Sequence, residues 1–464
     1  MQLNTQLHQN KYQFQSITEV LAKANEEKSG DQLAGIAANS QQERIAAKFV
    51  LSQLTLNDLF NYPVIDYATD EVTRTIIDQT DLKIFNKIKN WTVADLREWL
   101  LDSQTTGTMI QQLALGLTAE MIAAVCKLMS NLDLITAAKK INIEKTANTT
   151  IGRPGTFSAR LQPNHPTDDW HGILASTMEG LSMGSGDAVI GLNPVIDDPN
   201  HVANLIKKLE NFRLTYQIPT QICVLAHITT QMTAIKQGAN AGLMFQSIAG
   251  SEKGNTAFGI NRQLLLDAKA LATNEHCVSG PNVMYFETGQ GSELSSNANF
   301  GADQVTLEAR CYGFAKLFDP FLVNTVVGFI GPEYLYDGKQ VIRAGLEDHF
   351  MGKLTGLSMG CDACYTNHMQ ADQNDIENLT LLLANAGCNY IMGVPQADDV
   401  MLNYQTTGFQ ETATIRDLLD LTPTAEFATW MEKMGFWQNG QLTDLAGDAS
   451  AFAAANIARK EVLL

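Results

Sequence analysis

Two thiols, a carboxylate and an imidazole lie within eight residues of the sequence, in CDACYTNH at 361–368. Cys361, Cys364 and His368 are groups that zinc binds, but a structural zinc site usually includes a second Cys or His pair at a defined spacing. No such pair follows in the sequence. A redox pair of the thioredoxin type would begin a helix beside a short βαβ pattern, which is also missing. The spacing alone therefore favours neither a metal site nor a redox pair.

Two other kinds of short motif fail in their context. Gly-x-Ser-x-Gly occurs at 180–184 and 356–360, and in serine hydrolases it marks a turn from a strand into a helix. Here we expect Ser182 at the end of a helix and Ser358 inside a strand, with no convincing Asp and His after them. The glycine-rich stretches lack the last glycine of a dinucleotide fingerprint, and no Walker loop is present. We expect packing glycines rather than a nucleophile or a nucleotide site.

A third set of polar residues stands where predicted parallel strands end. The set is Arg160, Gln162, Asn193, Gln246, Ser247, Glu287, Gln290 and Asp362. A structural ion pair between Arg160 and Glu287 or Asp362 is the simpler interpretation. However, two carboxylates against one guanidinium leave a net negative site, which favours a cation. A carboxylate–ammonium pair at about 4 Å contributes about 4 kcal/mol at an effective dielectric of ~20, before desolvation. The set therefore predicts a small amine as ligand.

Strands and helices alternate through the part of the chain that must position these residues. The predicted strands are 157–162, 187–193, 220–227, 242–248, 283–288, 322–330, 354–362 and 388–395. Helical stretches between them require parallel pairing, because each helix returns the chain across the sheet. Eight such units over roughly 240 residues predict a (β/α)₈ TIM barrel, which typically takes about 250. An open doubly wound sheet is the alternative layout.

The barrel is expected to have a region on either side of it. Residues 1–150 predict an α-helical N-terminal region, in which 119–141 is the longest apolar-periodic stretch. Residues 151–400 form the predicted catalytic barrel, and residues 401–464 predict a helical C-terminal cap or interface segment.

Composition excludes several classes of partner. Lys plus Arg is 32 and Asp plus Glu is 50, so the net charge is 32 − 50 = −18. So acidic a chain repels phosphate backbones, and no basic run is present that would bind nucleic acid or anionic lipid. The longest apolar run, 321–331, is too short to span a bilayer, and the polar N-terminus predicts no secretory signal. Seven scattered cysteines fit a reducing cytoplasm rather than a disulfide framework.

At these residues the sequence resembles the large subunit of ethanolamine ammonia-lyase, an adenosylcobalamin-dependent family. The resemblance extends from about residue 10 to about residue 445. It is carried by long blocks such as NTTIGRPGTFSARLQPNHPTDD (148–169), YFETGQGSELSSNANFGADQVTLEAR (285–310) and DDVMLNYQTT (398–407). Blocks of this length make chance similarity negligible. The fold of the family, a (β/α)₈ barrel, agrees with the strand count.

The resemblance implies roles for individual residues. Residues in substrate-binding positions are Arg160, Leu161, Gln162, Asn193, Glu287, Phe329 and Asp362; residues that line the corrinoid are Pro194, Gln246, Ser295 and Met401. Glu287, Arg160 and Asp362 are the implied catalytic residues. Glu287 and Asp362 would neutralise the substrate ammonium and Gln162 would accept from it, while Arg160 and Asn193 would bond the hydroxyl oxygen. Glu287 is the implied group for proton transfer at the amine. In CDACYTNH, Asp362 would then face the substrate and the cysteines would be structural.

The resemblance also implies the reaction and its partners. Adenosylcobalamin supplies the radical chemistry that turns ethanolamine into acetaldehyde and ammonia. Asp169-Trp170-His171 is followed by Leu174 where the cobalt-binding histidine motif has glycine, so the cofactor should keep its own base on cobalt, and no separate protein-bound metal is expected. A small subunit should complete the corrinoid site in an assembly of six large and six small subunits. The enzyme should be cytoplasmic, and in bacteria that degrade ethanolamine it is often enclosed in a microcompartment.

Two other hypotheses remain at the level of sequence. A cobalamin barrel acting on a related amino alcohol or a vicinal diol would keep the fold, but a diol enzyme would be expected to place a cation in the site. A catalytically silent barrel serving as an assembly or cargo subunit would be expected to lack Glu287 or Arg160, and both are present.

Overall fold

The computed structural model describes residues 2–328, 334–401 and 403–455, with side chains described through residue 453. Among these residues one sheet of eight parallel strands alternates with helices. The strands are β1 (Ser158–Leu161), β2 (Val189–Leu192), β3 (Ile222–Val224), β4 (Met244–Ser247), β5 (Met284–Thr288), β6 (Leu322–Val327), β7 (Met359–Ala363) and β8 (Tyr390–Gly393). The main helices that follow them are α1 (Trp170–Ser182), α2 (Pro199–Thr215), α3 (Ile228–Lys236), α4 (Arg262–Asn274), α5 (Gln304–Ala315), α6 (Gly338–Thr355), α7 (Gln373–Asn385) and α8 (Phe409–Leu419). Each predicted strand overlaps an observed one.

The sheet curves into a nearly closed barrel. Its hydrogen-bonded order is β3-β2-β1-β8-β7-β6-β5-β4, so the two ends of the order are the consecutive strands β3 and β4. These ends meet where the Leu243 amide donates to the Ile222 carbonyl at 3.0 Å. The predicted (β/α)₈ barrel is confirmed, and the open doubly wound alternative is wrong.

The start of β7 differs from the prediction. Residues 354 and 355, predicted as strand, are the last two residues of α6, and β7 begins only at Met359. Gly356 ends the helix in a left-handed conformation with φ 98°, which glycine adopts without steric cost. The predicted strand 322–330 ends at Val327, and residues 329 and 330 lie outside the described residues.

Helices and one hairpin precede the barrel. The chain starts with an antiparallel hairpin of Asn4–Leu7 and Asn10–Gln13, which the sequence did not predict. The helices are Ile17–Ala24, Ser29–Leu33, Gln41–Gln53, Leu56–Asn61, Glu71–Asp78, Leu82–Ile88, Val93–Leu101, Gly107–Ala114, Ala119–Lys127 and Asn131–Lys140. The apolar stretch 119–141 is therefore two helices, because Ser130 caps the second one and its side chain accepts from the Asp133 amide. A short antiparallel pair, Lys145–Thr146 with Thr150–Ile151, leads into the barrel.

Buried ion pairs join the N-terminal helices to α5 and α6. Lys28 lies 2.7 Å from Glu347, Lys127 lies 2.9 Å from Asp303, and Arg310 lies 2.8 Å from Asp70. A buried charge is costly unless it is paired, so these contacts fix the N-terminal layer against the barrel helices.

The last part of the chain returns to the first barrel strands. A hairpin of Asp398–Asp399 and Tyr404–Gln405 separates β8 from α8, and the helix Ala425–Met434, the hairpin Trp437–Gln438 with Gln441–Leu442 and the helix Ser450–Ala455 follow α8. From α8, the buried Arg416 donates to the Phe157 and Gly184 carbonyls and to Asp187, at 2.7, 2.6 and 3.1 Å. Among the described residues, no helix has both the length and the apolar character needed to cross a bilayer.

Candidate active site

Arg160 is the centre of a polar cluster at the carboxyl ends of the strands. Its side chain is almost fully buried; Nη1 donates to Glu287 Oε1 at 2.9 Å and Nη2 donates to Gln162 Oε1. The guanidinium also lies over the ring of Tyr285, 5.4 Å from its centroid. Burial opposes its charge, but neighbouring Tyr285 and Glu287 more than compensate and raise the pKa of Arg160. The cluster therefore contains one permanent cation.

Space for this guanidinium depends on a glycine in β2. A Cβ on Gly191 would lie 3.2 Å from Arg160 Nε and 3.2 Å from Leu225 Cδ1. Arg160 Nε is buried and has no hydrogen-bond partner among the described residues. A buried donor without a partner is costly, so this atom is suited to a polar group of a ligand.

Glu287 is the carboxylate with access to the barrel mouth. In the described structure its Oε1 accepts from Arg160, from Asn324 Nδ2 at 3.3 Å and from Tyr285 Oη at 3.4 Å. No contact to Oε2 appears among the described hydrogen bonds, and the side chain is 17% exposed. The strand register places Glu287 beside Asn324 of β6. One oxygen is thus fixed by three donors, and the other has no hydrogen-bond partner among the described residues.

Asp362 is enclosed instead. Its Oδ2 accepts from Tyr404 Oη at 2.7 Å and its Oδ1 accepts from Thr406 Oγ1 at 2.5 Å. Burial raises the pKa of Asp362 to about 7, although both hydroxyls and nearby Arg160 act in the opposite direction. A nearby ammonium would favour the ionised form, so Asp362 is matched to a cationic ligand near neutral pH.

A second group of polar residues is hydrogen-bonded to Gln162 and Asn193. Gln162 Nε2 donates to Asp399 Oδ2 at 2.6 Å, and Asn164 Nδ2 donates to the same oxygen at 2.9 Å. Asn164 Oδ1 in turn accepts from the backbone amide of Asn193 at 2.9 Å. Asn164, Asp399, Tyr404 and Thr406 were not predicted from the sequence as site residues. The last three lie in the block DDVMLNYQTT, from which only Met401 was selected.

The structure brings most of the predicted substrate residues together. Arg160 contacts both Gln162 and Glu287. Asp362 is linked to Gln162 through Tyr404, and Asn193 is linked to it through Asn164 and Asp399. Leu161 is different, because its side chain is fully buried and packs outward against Gly180 of α1. Only the backbone of Leu161 can therefore face the mouth. Phe329 lies outside the described residues.

The predicted corrinoid residues lie around the same rim. Pro194 follows β2, Gln246 lies in β4, Ser295 ends a short helix after β5, and Met401 follows β8. Gln246 is buried, and its Oε1 accepts from the Ile228 amide at 3.0 Å. Ser295 is exposed.

Exposed apolar residues are next to two of these positions in the sequence. Val195 and Ile196 follow Pro194 and Val400 precedes Met401, and they are 44%, 57% and 60% exposed. Exposed apolar side chains of this kind are compatible with a broad apolar ligand.

The stretch CDACYTNH lies at the end of β7. Cys361 and Cys364 are fully buried, Cys364 Sγ lies 2.8 Å from the Val327 carbonyl, and His368 is exposed. Burial raises the pKa of the Cys361 thiol well above its usual value, which disfavours the thiolate that metal binding needs. Among the described residues, no group of three His, Cys, Asp or Glu side chains is placed to hold a metal ion.

The two Gly-x-Ser-x-Gly serines are in structural positions. Ser182 is the last residue of α1, as predicted. Ser358 lies just before β7 rather than inside a strand, and its Oγ accepts from Asn389 Nδ2 at 2.8 Å. Neither serine is at a turn from a strand into a helix.

Comparison with known proteins gives the family. Residues 12–445 match the family model described as ethanolamine ammonia lyase large subunit (EutB). The chain belongs to this family. It is 59% identical over 452 residues to the ethanolamine ammonia-lyase large subunit of Escherichia coli K12, with 97% of this chain and 100% of that protein covered. The Salmonella typhimurium protein of the same name is 58% identical over 452 residues, again with 97% of this chain and 100% of that protein covered.

A solved structure is similar at the level of part of the fold. A phospho-2-dehydro-3-deoxyheptonate aldolase from Thermotoga maritima covers 61% of this chain and 75% of its own, with 11% sequence identity and a TM-score of 0.37. A similarity this distant has no bearing on function. Membership of a family of lyases favours an enzyme over the silent-barrel hypothesis.

Proposed function

We propose that this chain is the catalytic subunit of an adenosylcobalamin-dependent ethanolamine ammonia-lyase, which converts ethanolamine into acetaldehyde and ammonia. The observation that supports this most is Glu287, with one oxygen fixed by three donors, no described hydrogen bond to the other, and a side chain that is 17% exposed. Beside it are a buried arginine and a carboxyl group whose pKa is raised to about 7. A small ligand with an ammonium at one end and a hydroxyl at the other matches this arrangement.

The residues have separate tasks in this proposal. Glu287 Oε2 and the ionised Asp362 bind the ammonium, and Gln162 Oε1 accepts a further hydrogen bond from it. Arg160 and Asn193 donate to the hydroxyl oxygen. Arg160 Nε is free to do so, because it has no hydrogen-bond partner among the described residues. Glu287 takes and returns the amine proton as the C–N bond breaks, because it is the exposed carboxylate of the site.

The cofactor would lie on the rim above these residues. Adenosylcobalamin, when bound, supplies the adenosyl radical that takes a hydrogen atom from the carbinol carbon. Pro194, Gln246, Ser295 and Met401 are the proposed contacts, together with the exposed apolar residues around them. We propose that the cofactor keeps its own base on cobalt, since His171 lies on an exposed helix surface and Leu174, at the position of the motif glycine, is buried.

The proposal includes a partner and a location. A small subunit would cover the open rim, in an assembly of six large and six small subunits. All seven cysteines are buried and outside any disulfide in the described structure, which fits a reducing cytoplasm. In an ethanolamine-degrading bacterium the complex would reside in a microcompartment.

One experiment tests the proposed activity. The chain, co-expressed with its small subunit, is incubated in the dark with adenosylcobalamin and ethanolamine, frozen, and examined by electron paramagnetic resonance while acetaldehyde is assayed. We expect an organic radical signal that broadens with ¹³C-labelled ethanolamine, together with acetaldehyde. Glu287→Gln should lose product formation, whereas Glu377→Gln, which removes the same charge from the exposed face of α7, should not. If the corrinoid binds but ethanolamine gives neither a radical nor a product, ethanolamine is excluded as the substrate. The assay would then turn to other amino alcohols and diols.

A further inference from the structure

The hairpin between β8 and α8 reaches both halves of the proposed site. Its paired residues are Asp398 with Gln405 and Asp399 with Tyr404, and Met401 lies between them on the rim. Gln405 is bonded to Tyr365 after β7 through two backbone hydrogen bonds of 2.9 and 3.0 Å. The hairpin is therefore attached to the segment after β7, and its side chains Asp399 and Tyr404 contact Gln162 and Asp362.

Asp399 is the residue of this hairpin that contacts both sides. Its Oδ1 accepts from the Met401 backbone amide at 3.0 Å. Its Oδ2 accepts from Gln162 Nε2 at 2.6 Å and from Asn164 Nδ2 at 2.9 Å. The residue is only 2% exposed. One buried carboxylate thus joins the backbone of a corrinoid-contacting position to two amides of the substrate side.

We propose that Asp399 is a positioning residue that couples occupancy of the corrinoid site to occupancy of the amine site. The inference rests on the proposed function, because it needs Met401 at the corrinoid and Gln162 at the substrate. A ligand that shifts Gln162 or Asn164 moves the oxygen pair of Asp399 and with it the Met401 backbone. Coupling of this kind is reciprocal, so each ligand changes the affinity of the other by the same factor.

The chemistry of the carboxylate makes the role specific. Both oxygens of Asp399 accept from N–H donors, and a carboxyl group has an acceptor oxygen on each side, whereas an amide has only one. In Asp399→Asn one of the two positions becomes an NH₂ group that faces another donor. Either the Met401 amide or the pair of amides then loses its acceptor, and the connection between the two sites is broken while the size of the side chain is unchanged.

The test measures binding without turnover. The complex with the small subunit is dialysed to equilibrium against cyanocobalamin, which has no adenosyl group, with and without saturating ethanolamine. The ratio of the two corrinoid Kd values is the coupling factor. Asp398→Asn is the matched control, because Asp398 is exposed, has the same charge and lies in the same hairpin, where its Oδ1 accepts from Gln405 at 3.1 Å. Asn164→Leu removes one of the two donors on the substrate side.

The expected results are distinct for each variant. The wild type and Asp398→Asn should show a coupling factor of at least about 5, within the ~5–150-fold range of typical coupling. The coupling factor of Asp399→Asn should fall below about 2, and that of Asn164→Leu should lie between the values for Asp399→Asn and the wild type. A coupling factor in Asp399→Asn equal to that of the wild type, or one near 1 in the wild type, would overturn the inference while leaving the proposed activity intact.

Two further outcomes separate the proposals. If Asp399→Asn does not assemble, an Asn164→Leu factor equal to the wild type overturns the coupling. If the wild-type complex binds no cyanocobalamin at all, the proposed function fails and the coupling fails with it.

Discussion

Thr406 donates a hydrogen bond that favours the ionised form of Asp362. Removing its hydroxyl should change the pH dependence of catalysis by an amount that can be calculated. Thr406 Oγ1 donates to Asp362 Oδ1 at 2.5 Å, and this contact lowers a pKa that burial has raised to about 7. A hydrogen bond to a charged group contributes ~1.5–3 kcal/mol, and 1.36 kcal/mol corresponds to a tenfold change. Thr406→Val should therefore raise the pKa of Asp362 further, with an ionisation constant about 10- to 100-fold lower.

The consequence for catalysis follows from the fraction of ionised Asp362. At pH 7 that fraction falls from about one half to roughly one in 11 to one in 101. If the ionised carboxylate binds the substrate ammonium, kcat/KM for ethanolamine at pH 7 falls about 5- to 50-fold. The loss should be recovered as the pH rises toward 9, because the carboxylate ionises again.

The assay is a pH profile of kcat/KM from pH 6 to 9.5, with acetaldehyde followed through a coupled dehydrogenase. Thr407→Val is the control: Thr407 is an adjacent, buried threonine whose hydroxyl donates to the Met392 carbonyl and not to Asp362. A Thr406→Val profile that superimposes on those of the wild type and Thr407→Val would refute the assignment of Asp362 to the ammonium.

Two further predictions concern positioning and stability. Gly191→Ala places a methyl group 3.2 Å from Arg160 Nε, so kcat/KM should fall ~10- to 100-fold with little change in Tm; unchanged kinetics would mean that the guanidinium position is not critical. Burial opposes the ionisation of Glu347, but Lys28 and Arg343 lower its pKa to about 2. The ion pairs of Glu347 with Lys28 and Arg343 therefore stabilise the fold above pH ~4.5. Their contribution, about 3 kcal/mol, is lost as the pH falls toward 2. In urea unfolding, Glu347→Gln should be less stable than the wild type at pH 7 by about that amount, and a difference that does not narrow between pH 4.5 and 2 would contradict the ion-pair explanation.

The parts of the site that the sequence predicted are those fixed by strand periodicity. Arg160 and Glu287 end strands of a parallel barrel, and such ends must meet at one rim. That rule is independent of the loops, so the contact between two residues 127 positions apart follows from the order of strands and helices.

The parts that were missed depend on loops that return to the site. Asp399 and Tyr404 belong to a hairpin after β8 whose fold has no periodic pattern, Thr406 directly follows it, and Asn164 lies in the loop after β1. The resemblance implied Leu161, which lies between two site residues, but alternation in a strand turns its side chain to the opposite face. The early predicted start of β7 has a similar cause, since an apolar run does not distinguish the end of a helix from the start of a strand.

Arg416 has a consequence for how the protein is made. Its guanidinium on α8 binds Phe157 and Asp187, which precede it by 259 and 229 residues. During synthesis β1 and β2 leave the ribosome long before α8 is translated. Until then Asp187 lacks the Arg416 guanidinium with which it pairs in the folded protein. Contacts this distant in sequence form slowly and leave strand edges exposed in the meantime. The growing chain therefore depends on protection from aggregation until its last barrel helix has been translated.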